Sequence, residues 1–239
     1  MHTPLVIAHR GDSSNSLENS LDAIRRALSL PADMIEIDIR MNRDGGLYVM
    51  HDETTGRTAG RNIDIERSTS EELSRLRLKN GEPVPALSDV LKLVAGGCGL
   101  NLEIKSAGAG EAVARELLSS GYQGYVLASS FKEDEVLAAR RVMPALPTSV
   151  IFDFFPLRDV GPYQARGYTL ISLRKKAATR ELIAACHDSA IKVYVWTVDA
   201  EEEMKTFVDW GVDGIYTNKP GMLKGLLRNS ECGVRNKTT

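Results

Sequence analysis

The sequence predicts an α/β fold, a (β/α)8 barrel with a small insertion after a hairpin on its second strand. Three observations carry this reading. Short apolar strands recur eight times, helical hydrophobic spacing fills most of the gaps, and 239 residues is close to the usual length of such a barrel. A doubly wound open sheet is the structural alternative for the same alternation.

The strands are expected at 5–9, 34–40, 100–105, 125–131, 148–154, 168–173, 192–198 and 214–217. After the first, Leu17, Leu21, Ile24 and Leu28 recur at helical spacing. Further helices follow from Val113, Leu117 and Leu118, from Val136–Val142, and from Leu182, Ile183 and Cys186. Met204, Phe207 and Val208 mark the next, with Asp199 at its N-terminus, and Met222, Leu223, Leu226 and Leu227 mark the last.

One stretch breaks the alternation. Between Arg40 and Leu47 there is no room for a crossover helix, and Asp44-Gly45 is a hairpin signal. Leu47–His51 is therefore expected to fold back antiparallel on the second strand. A turn centred on Asp44-Gly45 sets Asp38 opposite His51 and Glu36 opposite Glu53. The stretch from about 53 to 87 exceeds a barrel loop and reads as a charged insertion with few large apolar residues. It carries a capping-box spacing at Ser68-Thr69-Ser70-Glu71 and a helix starting near Ser88. Residues 1–228 read as one domain, and 229–239 as a polar tail.

Composition narrows the function classes. Lys+Arg number 30 against Asp+Glu 32, a formal charge of −2, which gives no electrostatic case for nucleic acid or an anionic membrane. No apolar run approaches the roughly 20 residues of a bilayer span. The N-terminus enters the first strand without a basic region or cleavage site, so no stable membrane association is expected. Cys98, Cys186 and Cys232 have no CxxC spacing and read as reduced thiols of a cytoplasmic protein, Cys98 and Cys186 in or near the core.

The chemistry concentrates at strand ends. Glu36 and Asp38 share one face of the apolar run Met34–Ile39. Two like charges side by side in a buried strand must be paired or bind a metal. Glu103, with Lys105 on the same face two residues on, lies on the neighbouring strand. Glu36, Asp38 and Glu103 form a hard oxygen set suited to Mg²⁺ or Ca²⁺. A purely structural ion network with Arg10, Arg40 and Lys105 is the other reading. His9 and His51 converge on the same mouth and suit general acid–base catalysis, whereas His2 and His187 read as surface residues. Arg10 and Lys105 supply positive charge for an anionic group such as phosphate.

At this point the chain resembles the glycerophosphodiester phosphodiesterase family. Ala8-His9-Arg10-Gly11 resembles its HRG motif, Ser16–Ser20 its PENT segment, Glu36-Ile37-Asp38 its ExD strand, and Asp44-Gly45 through His51-Asp52 its hairpin. Glu103-Ile104-Lys105, Trp196-Thr197 and Gly211–Thr217 resemble its later strands, in family order. The resemblance implies a TIM barrel that hydrolyses glycerophosphodiesters to sn-glycerol 3-phosphate and an alcohol, with a cyclic glycerophosphate as an allowed intermediate. Carried over, Glu36, Asp38 and Glu103 hold one divalent ion and His9 and His51 form the acid–base pair. Arg10 and Lys105 contact phosphate, Glu18 lies near the site, and Phe131 and Trp196 line the alcohol pocket. Leu17 stands in place of the family proline, and Asn218 where an acidic residue is common.

Two rival readings remain at this stage. One is a lysophospholipase-D-like or sphingomyelinase-D-like enzyme on lipid head groups, for which Phe152, Phe154 and Phe155 near a strand end leave room. The other is a non-catalytic phosphate-ligand binding barrel, which would be expected to have lost a histidine or a carboxylate.

Overall fold

A computed structural model describes residues 3–30, 32–155 and 160–235, with 230–235 as backbone alone. The chain begins with β1 (Leu5–His9), α1 (Leu21–Ser29), β2 (Met34–Met41) and β3 (Leu47–Val49). The insertion follows with α2 (Ser70–Ser74), then α3 (Leu87–Val94), β4 (Gly99–Ile104), α4 (Ala109–Ser120), β5 (Val126–Ser130) and α5 (Glu133–Val142). The second half is β6 (Thr148–Phe152), α6 (Gly161–Ala165), β7 (Leu170–Arg174), α7 (Arg180–Asp188), β8 (Lys192–Trp196), α8 (Glu201–Asp209), β9 (Gly214–Thr217) and α9 (Pro220–Arg235).

Eight of the strands are parallel and close into a barrel, because β1 pairs with β9 on one side and β2 on the other. The period of two sorts each strand. Ile35, Ile37 and Ile39 of β2 join Leu100, Leu102 and Ile104 of β4 in the layer under the helices. The second half of the barrel has its own layer, around Ile171, Val193 and Ile215. Inside, Ile7, Met34, Leu127, Leu170 and Tyr194 make an apolar floor together with Tyr216. Above it Ser129 Oγ donates to Asn101 Oδ1 at 2.8 Å, and Asn101 Nδ2 donates to the Tyr216 hydroxyl at 3.0 Å.

The hairpin forms, with its register one residue from expectation. Ile39 faces Val49, Arg40 faces Tyr48 and Met41 faces Leu47. Asp38 therefore faces Met50, whose N–H donates to the Asp38 carbonyl at 2.9 Å, and His51 lies beyond the ladder. The cause is the turn. Asn42 pairs with Gly46, and its Oδ1 accepts from the N–H groups of Asp44 and Gly46 at 3.1 and 2.7 Å. This leaves a three-residue loop with Gly45 at φ 82°, instead of a two-residue turn.

The insertion is more apolar inside than its sequence suggested. Met50, Ala59, Ile65, Leu73, Leu76, Leu78 and Val84 are buried together, and Leu17 packs on them instead of extending α1. The capping box is Thr69 with Glu72, one residue on from the expected spacing. Asp199 does not cap α8, whose N-cap is Ala200. Helix α9 runs through Arg235, so the expected tail is helical to that point; His2, 236–239 and the side chain of Cys232 lie outside the described residues. Phe155 is buried and Phe154 is exposed. Among the described residues no helix is long and apolar enough to cross a membrane.

Candidate functional site

The C-terminal mouth of the barrel holds a cavity of about 290 Å³. His9, Arg10, Glu36, His51, Glu103 and Lys105 line one side, and Phe131, Asp153, Arg174 and Trp196 the other. Of the remaining predicted residues, Asp38 is buried against Arg10 and Lys105, and Glu18 stands behind Arg10, both outside the lining.

Arg10 reaches this position through a tight turn. It adopts φ 58° and Gly11 φ 81°, and a Cβ on Gly11 would lie 2.7 Å from the backbone of Ala23. That turn aims the Arg10 N–H at Glu36 Oε2, at 2.9 Å. Its guanidinium reaches Asp38 Oδ2 at 3.2 Å and Glu18 Oε1 at 2.8 Å. Lys105, just past the end of β4, lies 3.0 Å from Asp38 Oδ1 and bonds Glu103 as well. Asn19, also in the left-handed region at φ 58°, donates from Nδ2 to Asp38 Oδ2 at 2.7 Å and accepts the Asp38 N–H. Asn tolerates this backbone better than most residues, and that is the signal by which its place in the Ser16–Ser20 segment could have been noticed.

The three carboxyls are shifted in different directions. Burial would raise Asp38, but Lys105 and Arg10 hold it well below the usual carboxylate range. Burial first, then the charge of Asp38, pushes Glu36 up to about 8 and Glu103 up to about 7. Each of the three offers an oxygen within 4.8 Å of the others. Glu36 Oε1 is buried with no hydrogen-bond partner among the described residues. A buried, under-partnered carboxylate oxygen facing two more is the donor set of a hard divalent cation, so these residues fit one.

Each histidine rests its Nδ1 on an oxygen. His9 Nδ1 lies 2.8 Å from Asn218 Oδ1, and His51 Nδ1 lies 2.7 Å from Asp52 Oδ1. Both acceptors require a protonated Nδ1, which leaves Nε2 of each neutral ring free to take a proton. His9 Nε2 is 4.0 Å from Glu36 Oε2. Burial lowers the pKa of both rings, reinforced at His9 by Arg10 and opposed at His51 by Asp38 and Asp52. His51 does not enter through the strand ladder. Its carbonyl is held instead by the Arg40 guanidinium at 2.8 and 2.9 Å.

The insertion completes the wall. Arg57 donates to Glu18 at 2.6 and 2.7 Å and to Asp52 at 2.6 and 3.1 Å, so one side chain braces the residues behind Arg10 and His51. Arg57 holds Asp52 down at about 2. Glu66 accepts from Arg40 and from the Ser106 hydroxyl. Neither Arg57 nor Glu66 stood out in the sequence, where both lie within the charged insertion. Opposite, the Phe131 and Trp196 rings meet edge to face at 5.6 Å. His187, partly exposed, pairs with Asp213 far from the mouth.

A model of the glycerophosphoryl diester phosphodiesterase family matches residues 9–222. A glycerophosphodiester phosphodiesterase of Caldanaerobacter subterraneus subsp. tengcongensis is 32% identical over 246 residues, covering 94% of this chain and 98% of that protein. The fold is similar to that of a phosphodiesterase of Oleispira antarctica, solved in complex with its product sn-glycerol-3-phosphate. That likeness has a TM-score of 0.85 at 21% identity and covers 93% of this chain and 96% of that one. A glycerophosphodiester phosphodiesterase of Parabacteroides distasonis gives 0.86 at 25% identity, over 96% and 99% of the two chains.

Proposed function

The chain belongs to the glycerophosphoryl diester phosphodiesterase family and is a phosphoric diester hydrolase; from that premise we propose how its residues divide the cleavage of a glycerophosphodiester into sn-glycerol 3-phosphate and an alcohol. The observation that carries the reading is the convergence of two neutral histidines, each with Nε2 free, on three carboxyls set between Arg10 and Lys105.

Arg10 and Lys105 bind the phosphate, since each brings a cation to a buried rim. One of His9 and His51 takes a proton from the attacking hydroxyl or water. The other, protonated beforehand from solvent, gives its proton to the departing alcohol; the proton held by the first then leaves to solvent and the donor is reprotonated, which restores the pair. Glu36, Asp38 and Glu103 would hold one divalent cation, Mg²⁺ or Ca²⁺. Such a cation, when bound, supplies Lewis-acid polarisation and charge neutralisation at the phosphate. Glu18 holds Arg10 in place, and Phe131 and Trp196 line the side that receives the alcohol.

We take the barrel and its insertion, residues 1–228, as one catalytic domain from which the last helix continues. The substrate is a small molecule, the near-neutral charge gives no pull toward nucleic acid or a membrane, and unpaired Cys98 and Cys186 support a reducing, cytoplasmic setting. The test is release of sn-glycerol 3-phosphate from glycerophosphocholine, lost in EDTA and restored by Mg²⁺ or Ca²⁺. Release confined to lysophospholipid micelles would transfer the activity to lipid head groups. No release from any diester would leave only a binding barrel.

A further inference from the structure

Asn218 follows β9, and every polar group of its side chain is committed. Its Nδ2 donates to Asp199 Oδ2 at 2.7 Å, and its backbone N–H donates to Asp199 Oδ1 at 2.8 Å. The Thr217 hydroxyl donates to that same Asp199 oxygen at 3.1 Å. Asn218 Oδ1 faces His9 Nδ1 at 2.8 Å, and the Ser13 hydroxyl donates to it at 2.7 Å.

The direction of this chain follows from donor chemistry. A carboxylate only accepts. Asp199 therefore draws the NH₂ end of the Asn218 amide toward itself, which leaves the oxygen end for His9. An amide oxygen also only accepts, so the proton between them belongs to His9 Nδ1. The lone pair is left on Nε2, on the side of Glu36 and the cavity.

We propose that Asp199 and Asn218 work together as positioning residues that fix His9 in its Nδ1–H tautomer, holding Nε2 for proton transfer at the substrate. The proposal deepens the reading of His9 as an acid–base group and rests on it. It also accounts for the amide at 218. The carboxylate of the pair sits at 199, one hydrogen bond further from the ring. A second carboxylate at 218 would meet it at the 2.7 Å now spanned by a donor and an acceptor.

The pair makes an interchange prediction. Asp199→Asn gives position 199 an NH₂ that needs an acceptor. The Asn218 amide then turns over and presents its own NH₂ to His9, moving the ring proton to Nε2. Asn218→Asp sets two carboxylates against each other. The double variant Asp199→Asn/Asn218→Asp restores an acceptor on both sides.

The test uses protein labelled with ¹⁵N-histidine. Long-range ¹H–¹⁵N spectra are taken where the rings are neutral, and His9→Gln assigns the His9 signals. The wild type is expected to show Nδ1 protonated and Nε2 bare. Asp199→Asn is expected to interchange the two signals and to lower kcat for glycerophosphocholine by roughly 10²-fold, within the range of positioned proton transfer, with KM little changed. The double variant is expected to recover the wild-type tautomer and most of kcat. The substitutions at 199 and 218 exchange groups of one shape, and thermal transitions check that each variant is folded. A His9 that stays Nδ1-protonated in Asp199→Asn would overturn the proposal, as would a double variant no better than the worse single one. A shifted tautomer with undiminished kcat would instead overturn the acid–base role of His9, and with it the purpose assigned to the pair.

Discussion

Lys105 Nζ lies 3.0 Å from Asp38 Oδ1 and also bonds Glu103, so one ammonium serves carboxyls from two adjacent strands. Asp38 is wholly buried, and removing a partner leaves a charge with little solvent to turn to. Lys105→Met is expected to destabilise the metal-free protein by about 3 kcal/mol, the low end for a broken buried pair, because Arg10 remains 3.2 Å away. Added Mg²⁺ or Ca²⁺ should recover much of that loss in a urea titration. An equal loss with and without the cation would show that the carboxyls do not share it.

The two histidines give a second prediction. His9→Ala and His51→Ala should each lose about 10²–10⁴ in turnover, with circular dichroism and thermal transition close to wild type. Neither ring is part of the apolar floor on which the barrel is built. Wild-type rates in either purified variant would remove that residue from the acid–base pair.

Acidity and cation binding should be linked. Glu36, pushed up to about 8, and Glu103, pushed up to about 7, keep protons in the folded state that the unfolded chain gives up above the ordinary carboxylate value of 4.5. Between those limits these two carboxyls hold more protons in the native state than in the unfolded state. Their contribution to the stability of the metal-free protein therefore falls as pH rises, opposed below the ordinary histidine value of 6.5 by the lowered His9 and His51 and unopposed by them above it. A divalent cation competes with the same protons, so its affinity should rise across the window and binding should release up to two protons. Melting curves in EDTA from about pH 5 to pH 8.5, with calorimetry in two buffers, measure both effects. A flat pH dependence in EDTA above pH 6.5, or binding without proton release, would contradict the assignment.

Arg57 offers a contrast between activity and stability. It is half-exposed, and its ion pairs should contribute no more than about 1 kcal/mol to folding. Arg57→Gln frees both Glu18 and Asp52, and through them Arg10 and His51. The expected result is a fall in kcat of roughly tenfold to 10²-fold, as for a modest misplacement of reacting groups, with a nearly unchanged melting temperature. Unchanged kinetics would mean that Arg10 and His51 hold their places without it.

How much of this was legible in the sequence follows from the range of the interactions. The barrel strands were, because short apolar runs recur with helical hydrophobic spacing between them, a pattern carried by neighbouring residues. The placing of Glu36, Asp38 and Glu103 together, with His9 at the same mouth, was legible from their strand positions; His51 reaches that mouth too, but by the Arg40 contacts on its carbonyl and not by the ladder pairing that was expected. The hairpin register was off by one because the Asn42 side chain closes a three-residue loop, which the residue count between the strands does not reveal. The insertion hid its core among charged residues. Arg57 contacts Glu18 from 39 residues away, and Asn218 contacts His9 from 209 away. In sequence the first is one charge within a charged insertion and the second a departure from the family pattern.

The separate apolar cluster of the insertion has a consequence for how the active state is assembled. Closure of the eight strands brings the carboxyls and His9 together, but the braces on His51 and Arg10 arrive only when the unit around Ile65 and Leu73 is itself folded. Such a unit can open on its own, below the free energy of global unfolding. Hydrogen exchange should then find the insertion amides opening before those of the barrel. The fraction of molecules with a competent mouth is in that case set by this small subdomain, and loss of activity on mild heating should precede loss of the barrel.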